Sequence, residues 1–243
     1  MIAIFKRELA SFFSSVTGAL VVCVFLLLTG LFLWVIPNDL NILFGGYASL
    51  ESLFYIAPWV YLFLVPAVTM RLFADEKKMG TLDLLFTRPV SEMQIILGKF
   101  LAGLAVVLIS LLPTLLYVYT VYQLGNPLGN VDMGATWGSY IGLFFLAAVY
   151  VAIGVFASSL TDNQVVAFVL AVLLSFMFYS GFDSLSELRS LSQWRELITY
   201  LGIDSHYRSL SRGVIDSRDV IHLCCLVYFF LFLTKLSLLQ SKR

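Results

Sequence analysis

The sequence is poor in charged residues and in cysteine. Only 12% of its 243 residues are charged and 60% are hydrophobic, whereas a soluble globular domain carries about a quarter charged residues. The formal net charge is zero, so there is no overall basic field that would attract a nucleic acid. This composition favours a membrane protein without a nucleic-acid partner.

The three cysteines, Cys23, Cys224 and Cys225, all lie in apolar runs. Their spacing is not that of metal ligands, and the adjacent pair is poorly placed to form a disulfide with itself. We therefore expect all three to be small core residues.

Several catalytic and energy-coupling patterns are also missing. The interiors of the first five long apolar runs contain no Asp, Glu, Lys, Arg or His, which disfavours an ion-coupled pump. No G-x-x-x-x-G-K-[ST] segment occurs, so any ATPase must be a separate chain. A serine-histidine intramembrane protease is the enzyme class to weigh, because six apolar runs occur together with serines and His222, but His222 lies at a run's entrance beside Asp219. Without G-x-S-x-G, an interfacial histidine is the better interpretation.

Six runs are long and apolar enough to cross a bilayer, which takes roughly 20 residues. The first run is too long for the apolar region of a secretory signal, roughly 7 to 15 residues, so we expect it to remain as a span. The sequence thus predicts an all-α polytopic membrane protein with six transmembrane helices. The predicted spans cover residues 16–36, 53–70, 100–123, 138–160, 164–182 and 220–239.

Six spans place both termini on one side of the membrane. Ten of the 15 Lys and Arg residues fall on that side, and the other five lie in residues 183–219. The positive-inside rule therefore predicts cytoplasmic termini, although the arginines of that loop run against it.

Two flanking segments are predicted to be amphipathic. In residues 1–14 the apolar positions recur at helical spacing, which indicates an interfacial helix, or alternatively an extension of the first span. In residues 183–219 an apolar stripe from Leu185 to Leu201 predicts one amphipathic helix against the outer membrane face. A second short helix from Asp204 and an N-cap at Asp216 complete this extracytoplasmic loop.

Residues 71–99 are predicted to form a helical hairpin below the membrane. Gly80 breaks the extension of the second span, Thr81 caps a short helix, and Pro89 ends it. Ser91 and Gln94 form a capping box for the helix that leads into the third span. The hairpin tip has an apolar face made by Leu82, Leu85 and Phe86, which suits a groove on a partner. The alternative is a solvated loop whose apolar residues fold back onto lipid.

The segment ADEKKMGTLDLLFTRPVSEMQIILGKFLA resembles the signature of ABC-2 type transporter permeases. The segment RGVIDSRDVIHL before the last span is similar to the subgroup that contains gliding-motility permeases and copper-site-maturation permeases, and the gliding-motility type is preferred. The positions of the first segment that match the ABC-2 signature are Glu76, Gly80, Thr81, Leu82, Asp83, Leu84, Leu85, Pro89, Val90, Ser91, Gly98 and Lys99.

This resemblance implies a single ABC-2 type transmembrane domain over residues 1–243 in a bacterial cytoplasmic membrane. It implies that the hairpin is a coupling helix that docks on an ABC ATPase subunit, and that a second permease subunit, identical or paralogous, completes the transporter. ATP and magnesium would bind to the ATPase, so no cofactor is expected in this chain. The implied docking residues are Glu76, Gly80, Thr81, Leu82, Asp83, Leu85, Phe86, Pro89 and Ser91.

Two functions are compatible with such a hairpin. One is the permease subunit of an ATP-driven exporter. The other is a membrane scaffold that transports nothing and passes an ATPase-driven conformational change across the envelope. No charged residue within the first five spans indicates an anion, a cation or a sugar as substrate.

Overall fold

The computed structural model describes residues 1–82, 91–188 and 193–241. These residues form helices joined by turns and short irregular segments, with no strand among them, which confirms the all-α fold class. The helices are α1 (Ile2–Ser14), α2 (Val16–Gly30), α3 (Glu51–Thr69), α4 (Arg71–Lys78), α5 (Glu92–Leu111), α6 (Leu115–Leu124), α7 (Met133–Leu160), α8 (Gln164–Phe176), α9 (Phe182–Ser186), α10 (Arg195–Leu201), α11 (Ile203–Leu210) and α12 (Ser217–Ser241).

Six helical stretches in the described residues are long and apolar enough to cross a membrane, as predicted. We call the end of the bundle that carries α1 and the α4–α5 connection the terminal end, and the opposite end the far end. The spans are span 1 (Gly18–Val35), span 2 (Glu51–Lys78), span 3 (Glu92–Leu124), span 4 (Met133–Leu160), span 5 (Gln164–Ser186) and span 6 (Ser217–Gln240).

Proline interrupts these spans unequally. Pro58 and Pro66 lie inside α3, which continues through both, whereas Pro113 lies in a 3-10 turn, Leu112–Thr114, that separates α5 from α6. The Thr114 hydroxyl donates there to the carbonyl of Leu111 at 2.7 Å. Such side-chain bonds are how a membrane helix satisfies polar groups near a proline.

Span 4 is the centre of the bundle. In its most apolar window 78% of the residues are buried, compared with 22% in spans 5 and 6. Small residues allow this close packing, because a Cβ added at Gly154 would collide with the Thr69 hydroxyl and one added at Gly142 would lie 2.6 Å from Cβ of Leu210. Gly142 and Gly154 therefore mark close contacts of span 4 with α11 and with span 2.

The far-end loop is helical, but the single long helix predicted from its apolar stripe is wrong. Helix α9 ends at Ser186, and Leu188 is not helical. The helix ends in a tight turn, in which the backbone nitrogen of Leu188 donates to the carbonyl of Leu185, three residues back, at 3.2 Å. The stripe resumes in α10, where Leu197 is 60% exposed and can face lipid.

The prediction that the cysteines are core residues is also wrong. Cys23, Cys224 and Cys225 are all exposed on the outward faces of spans 1 and 6. In a membrane protein the outward face is as apolar as the interior, because it contacts lipid. An apolar sequence context therefore does not distinguish a buried cysteine from a lipid-facing one.

Candidate functional site

The candidate site is the base of the predicted hairpin, at the terminal end. Its first arm is α4 and its second arm is the start of α5, which opens with the predicted capping box: the Ser91 hydroxyl accepts from the backbone nitrogen of Gln94, and the Gln94 side chain accepts from that of Ser91. Gly80 ends the first arm in the left-handed region, at φ +65°, a conformation that glycine adopts without strain.

Four charged side chains join the two arms to α1. We call Arg7, Glu8, Glu76 and Lys99 the basal cluster. The Lys99 ammonium lies 3.0 Å from a carboxylate oxygen of Glu8 and 3.0 Å from one of Glu76, and the Arg7 guanidinium lies 2.6 Å and 2.7 Å from the same two oxygens. Positive and negative groups thus alternate around a ring, so that each carboxylate has two cationic neighbours.

The basal cluster is buried most deeply at Lys99, whose side chain is 1% exposed. Its ammonium also donates to the carbonyl of Leu72 at 2.5 Å and lies 5.0 Å from the centre of the Phe73 ring. Burial by itself would raise the pKa of Glu8, but the charges and hydrogen bonds of Lys99 and Arg7 outweigh it and lower that pKa. Glu8 is therefore held in its ionised form.

Glu76 uses only one of its two carboxylate oxygens within the described part of the chain. Its Oε1 contacts both Arg7 and Lys99, whereas its Oε2 is buried and has no partner there. A cavity of about 440 Å³ opens beside it between α1 and α4, lined also by Arg71 and Asp75. The base of the hairpin therefore keeps a polar recess with an acceptor that could take a donor.

Helix α4 is also bonded to the ends of spans 4 and 5. The Ser158 hydroxyl accepts from the backbone nitrogens of Phe73 and Ala74 at 2.9 Å and 3.1 Å and donates to the carbonyl of Met70 at 2.8 Å. The Lys77 ammonium donates to the carbonyl of Ser159 at 2.5 Å. In addition, the amide of Gln164 donates to the carboxylate of Asp75.

The same helix contacts the junction between α1 and span 1. The Arg71 guanidinium lies 4.2 Å from the centre of the Phe12 ring and donates to the Ser15 hydroxyl at 3.3 Å. Helix α4 is thus a hub that connects α1 and the ends of spans 1, 3, 4 and 5. A displacement of the hairpin would reach all of these elements.

The predicted docking residues occupy different environments. Glu76 is 8% exposed and faces the basal cluster, Leu82 is 5% exposed and packs into the core, and Thr81 is half-buried, while Gly80 and Ser91 are exposed. The structure therefore places Leu82 inward, unlike the exposed apolar face predicted for it. Four of the predicted residues lie outside the described residues, and their docking role stays a prediction: Asp83, Leu85, Phe86 and Pro89.

Sequence reasoning missed the partners of Lys99 and Glu76. Arg7 and Glu8 have the appearance of a solvated polar face in an amphipathic helix, and Ser158 looks like one of many small residues in a span. The available signal was Lys99 itself, because a lysine directly before an apolar span needs a partner when it is buried.

Comparison with known protein families and with curated proteins gives one result. Residues 3–239 match the family described as ABC-2 family transporter protein, while the search of curated proteins finds no match. The family match spans nearly the whole chain, including α1, the six spans and both arms of the hairpin. The chain therefore belongs to the ABC-2 family of transporter proteins.

Proposed function

We propose that the chain is the permease subunit of an ATP-driven exporter of the gliding-motility type. Family membership makes it a membrane permease subunit that works with an ABC ATPase subunit. The exporter direction and the gliding-motility type rest on the sequence resemblance described above. In the proposed complex two permease subunits, identical or paralogous, lie side by side, and the ATPases bind ATP and magnesium.

The observation that carries the coupling proposal is the position of α4. Its polar contacts reach α1 and the ends of four other spans. An ATPase that moves residues 79–91 would therefore move several spans together, since rigid helices transmit displacement as bodies. Glu76 acts in this proposal as a positioning residue, because it holds the hairpin base and is nearly buried.

The proposed orientation places both termini and the hairpin in the cytosol of a bacterium. It rests on the ten basic residues of that side and on the need of an ATPase for cytosolic ATP. Cysteine labelling in a cysteine-free background tests it. A cysteine at exposed Ser91 should react only after the membrane is permeabilised, and one at exposed Asn130, at the far end, should react in intact cells. The reverse pattern would exclude cytosolic docking.

A pair of variants separates docking from transmission. Leu85→Asp should detach the ATPase in co-purification, because it puts a charge on the predicted apolar docking face. The matched control is Leu43→Asp, at an exposed leucine of the far end, which should keep the ATPase. Equal ATPase recovery with both variants would contradict docking through the hairpin.

Ser158→Ala should instead keep the ATPase bound but lower its coupling to transport, because it removes the hydroxyl that bridges α4 and span 4. Its control is Ser175→Ala, since Ser175 is fully buried in span 5 and its hydroxyl has no partner within the described residues. If the two variants couple ATP hydrolysis to transport equally well, α4 is not the transmitting hub.

ATPase stimulation by an exported cargo in reconstituted vesicles separates an exporter from a scaffold.

A further inference from the structure

An open cavity of about 690 Å³ lies at the far end, beneath the loop helices. Its size is that of a small-molecule site, roughly 300 to 1,000 Å³. Span 2 contributes Tyr55 and Trp59 to its wall, the end of span 5 contributes Tyr179 and Asp183, and α11 contributes residues 204, 207 and 208. The cavity thus joins two spans to the far-end loop.

Carboxylates outnumber guanidinium groups among the described residues that line the cavity. Asp204 and Asp183 share one cation: the Arg208 guanidinium lies 2.5 Å from a carboxylate oxygen of Asp204 and 3.4 Å from one of Asp183. The lining residues that the structure describes include four carboxylates and three guanidinium groups. Asp204 is 8% exposed, so part of this negative charge lies deep. A ligand that carries a positive group would complete the charge balance.

Aromatic rings stand beside these carboxylates. The Trp59 and Tyr179 rings meet edge to face with centroids 5.7 Å apart, and Tyr179 belongs to a π-helical turn, Met177–Gly181, a feature frequent at functional sites. Trp59 lies about 12 Å along the helix from Glu51, the first residue of span 2. Aromatic faces together with carboxylates favour an ammonium group.

A second cavity of about 600 Å³ lies beside the first one. It lies between spans 1 and 2, with Phe168 of span 5, and the two cavities share Tyr55 and Trp59. Its remaining lining is entirely apolar and includes Leu20, Val24 and Phe63. A polar, negatively biased cavity therefore adjoins a groove that suits hydrocarbon, with Tyr55 and Trp59 in the lining of both.

We propose that the two cavities form one binding site for an amine-bearing phospholipid of the surrounding bilayer. The ammonium group would lie between Asp183 and the aromatic rings, the phosphate near Arg195 or Arg212, and an acyl chain in the apolar groove. A second copy of the chain could cover the groove, but its apolar surface would not provide the cation that the adjoining cavity lacks. As a statement about substrate class, this inference rests on the proposed permease function.

Photolabelling of the full chain in detergent tests the site. The probe is phosphatidylethanolamine with a diazirine in its acyl chain, and the competitors are unlabelled phosphatidylethanolamine and phosphatidylglycerol with the same chains. We expect labelled peptides from spans 1 and 2 around Leu20 and Phe63. We also expect the ethanolamine lipid to compete about tenfold better, since a single charge contact of 1.4 kcal/mol corresponds to tenfold in affinity.

Two variants should weaken this preference, each with a matched control. Asp183→Asn should abolish the tenfold difference between the competitors, and Trp59→Leu should reduce it roughly fivefold through the lost cation-π contact. Asp39→Asn and Trp137→Leu change the same residue types at exposed far-end positions outside both cavities, and should leave it unchanged.

Three results would overturn the proposal. The first is equal competition by the two lipids on the unchanged chain, and the second is labelling spread evenly over all lipid-facing spans. The third is efficient cross-linking of Leu20→Cys in one copy of the chain to Phe168→Cys in another copy, together with no labelling of the groove. The competition on the unchanged chain decides the matter even if a variant fails to fold. Because no ATPase is present, a failure here is distinct from a failure of the proposed function, which ATPase co-purification tests.

Discussion

Replacing Lys99 by methionine should destabilise the chain more than any other single change in the basal cluster. The methionine keeps the length and the apolar stem of the side chain but removes the ammonium group. Lys99 is 1% exposed and contacts carboxylates of both Glu8 and Glu76 at 3.0 Å. The variant therefore leaves two largely buried carboxylates with Arg7 as their remaining cation in the cluster, and the Arg7 side chain is 53% exposed.

The size of the effect follows from this geometry. Removing one partner of a buried ion pair costs about 3 to 5 kcal/mol. Because Arg7 still contacts both carboxylates, at 2.6 Å and 2.7 Å, we expect the lower end, about 3 kcal/mol. For a chain of this size each kcal/mol shifts the melting temperature by roughly 2 to 4 °C, so Lys99→Met should melt roughly 6 to 12 °C lower.

Thermal unfolding of the full chain in detergent, followed by tryptophan fluorescence, measures this shift. The matched control is Lys78→Met, at an exposed lysine of the same segment, which should melt like the unchanged chain. The double variant Lys99→Met with Glu76→Gln should recover part of the loss, because it leaves one carboxylate, Glu8, for the one remaining cation of the cluster, Arg7. A Lys99→Met variant that melts with Lys78→Met would refute the reasoning.

Three further predictions concern packing, the far end and pH. Gly154→Ala should lower the free energy of unfolding by about 1 to 3 kcal/mol because its Cβ collides with span 2, whereas Gly30→Ala, where the added Cβ has 3.4 Å to its nearest neighbour, should change melting little. His206→Phe should cost about 1 to 3 kcal/mol through bonds lost to Asp219 and a carbonyl. His222→Phe should cost less, because it keeps the ring stack, 4.1 Å between centroids, and loses one hydrogen bond to the backbone of Leu201, while its Nε2 is buried without a partner among the described residues. The pKa of Glu8 is lowered in the folded chain, so its ionisation stabilises the fold at pH values above the ordinary glutamate pKa. This stabilisation is lost as the pH falls through the lowered pKa. The melting temperature of the unchanged chain should therefore fall in acid, and that of Glu8→Gln should fall less.

Each of these has a contradicting outcome. Equal melting of Gly154→Ala and Gly30→Ala would mean that the spans adjust to the added methyl group. A larger loss in His222→Phe than in His206→Phe would mean that the unpartnered nitrogen has a partner in solution. An acid loss of the same size in Glu8→Gln would assign the pH dependence to other carboxylates.

The sequence by itself determined the fold class, the number of spans and the ends of the hairpin arms. Long uncharged runs can satisfy their backbone only as helices in lipid, and local rules place Gly80 and the Ser91 capping box, since both depend on neighbouring residues alone. The family signature in residues 76–99 led to the membership that the family match over residues 3–239 shows.

The tertiary structure decided which polar groups meet. Glu8 and Lys99 are 91 residues apart in sequence, and Ser158 bonds to backbone atoms 84 and 85 residues away, so no local pattern could pair them. Lipid-facing and core-facing positions are equally apolar in a membrane helix, which is why the cysteines were misplaced. The far-end cavity likewise exists only because packing brings α11 beside spans 2 and 5, and its chemistry is a property of that arrangement.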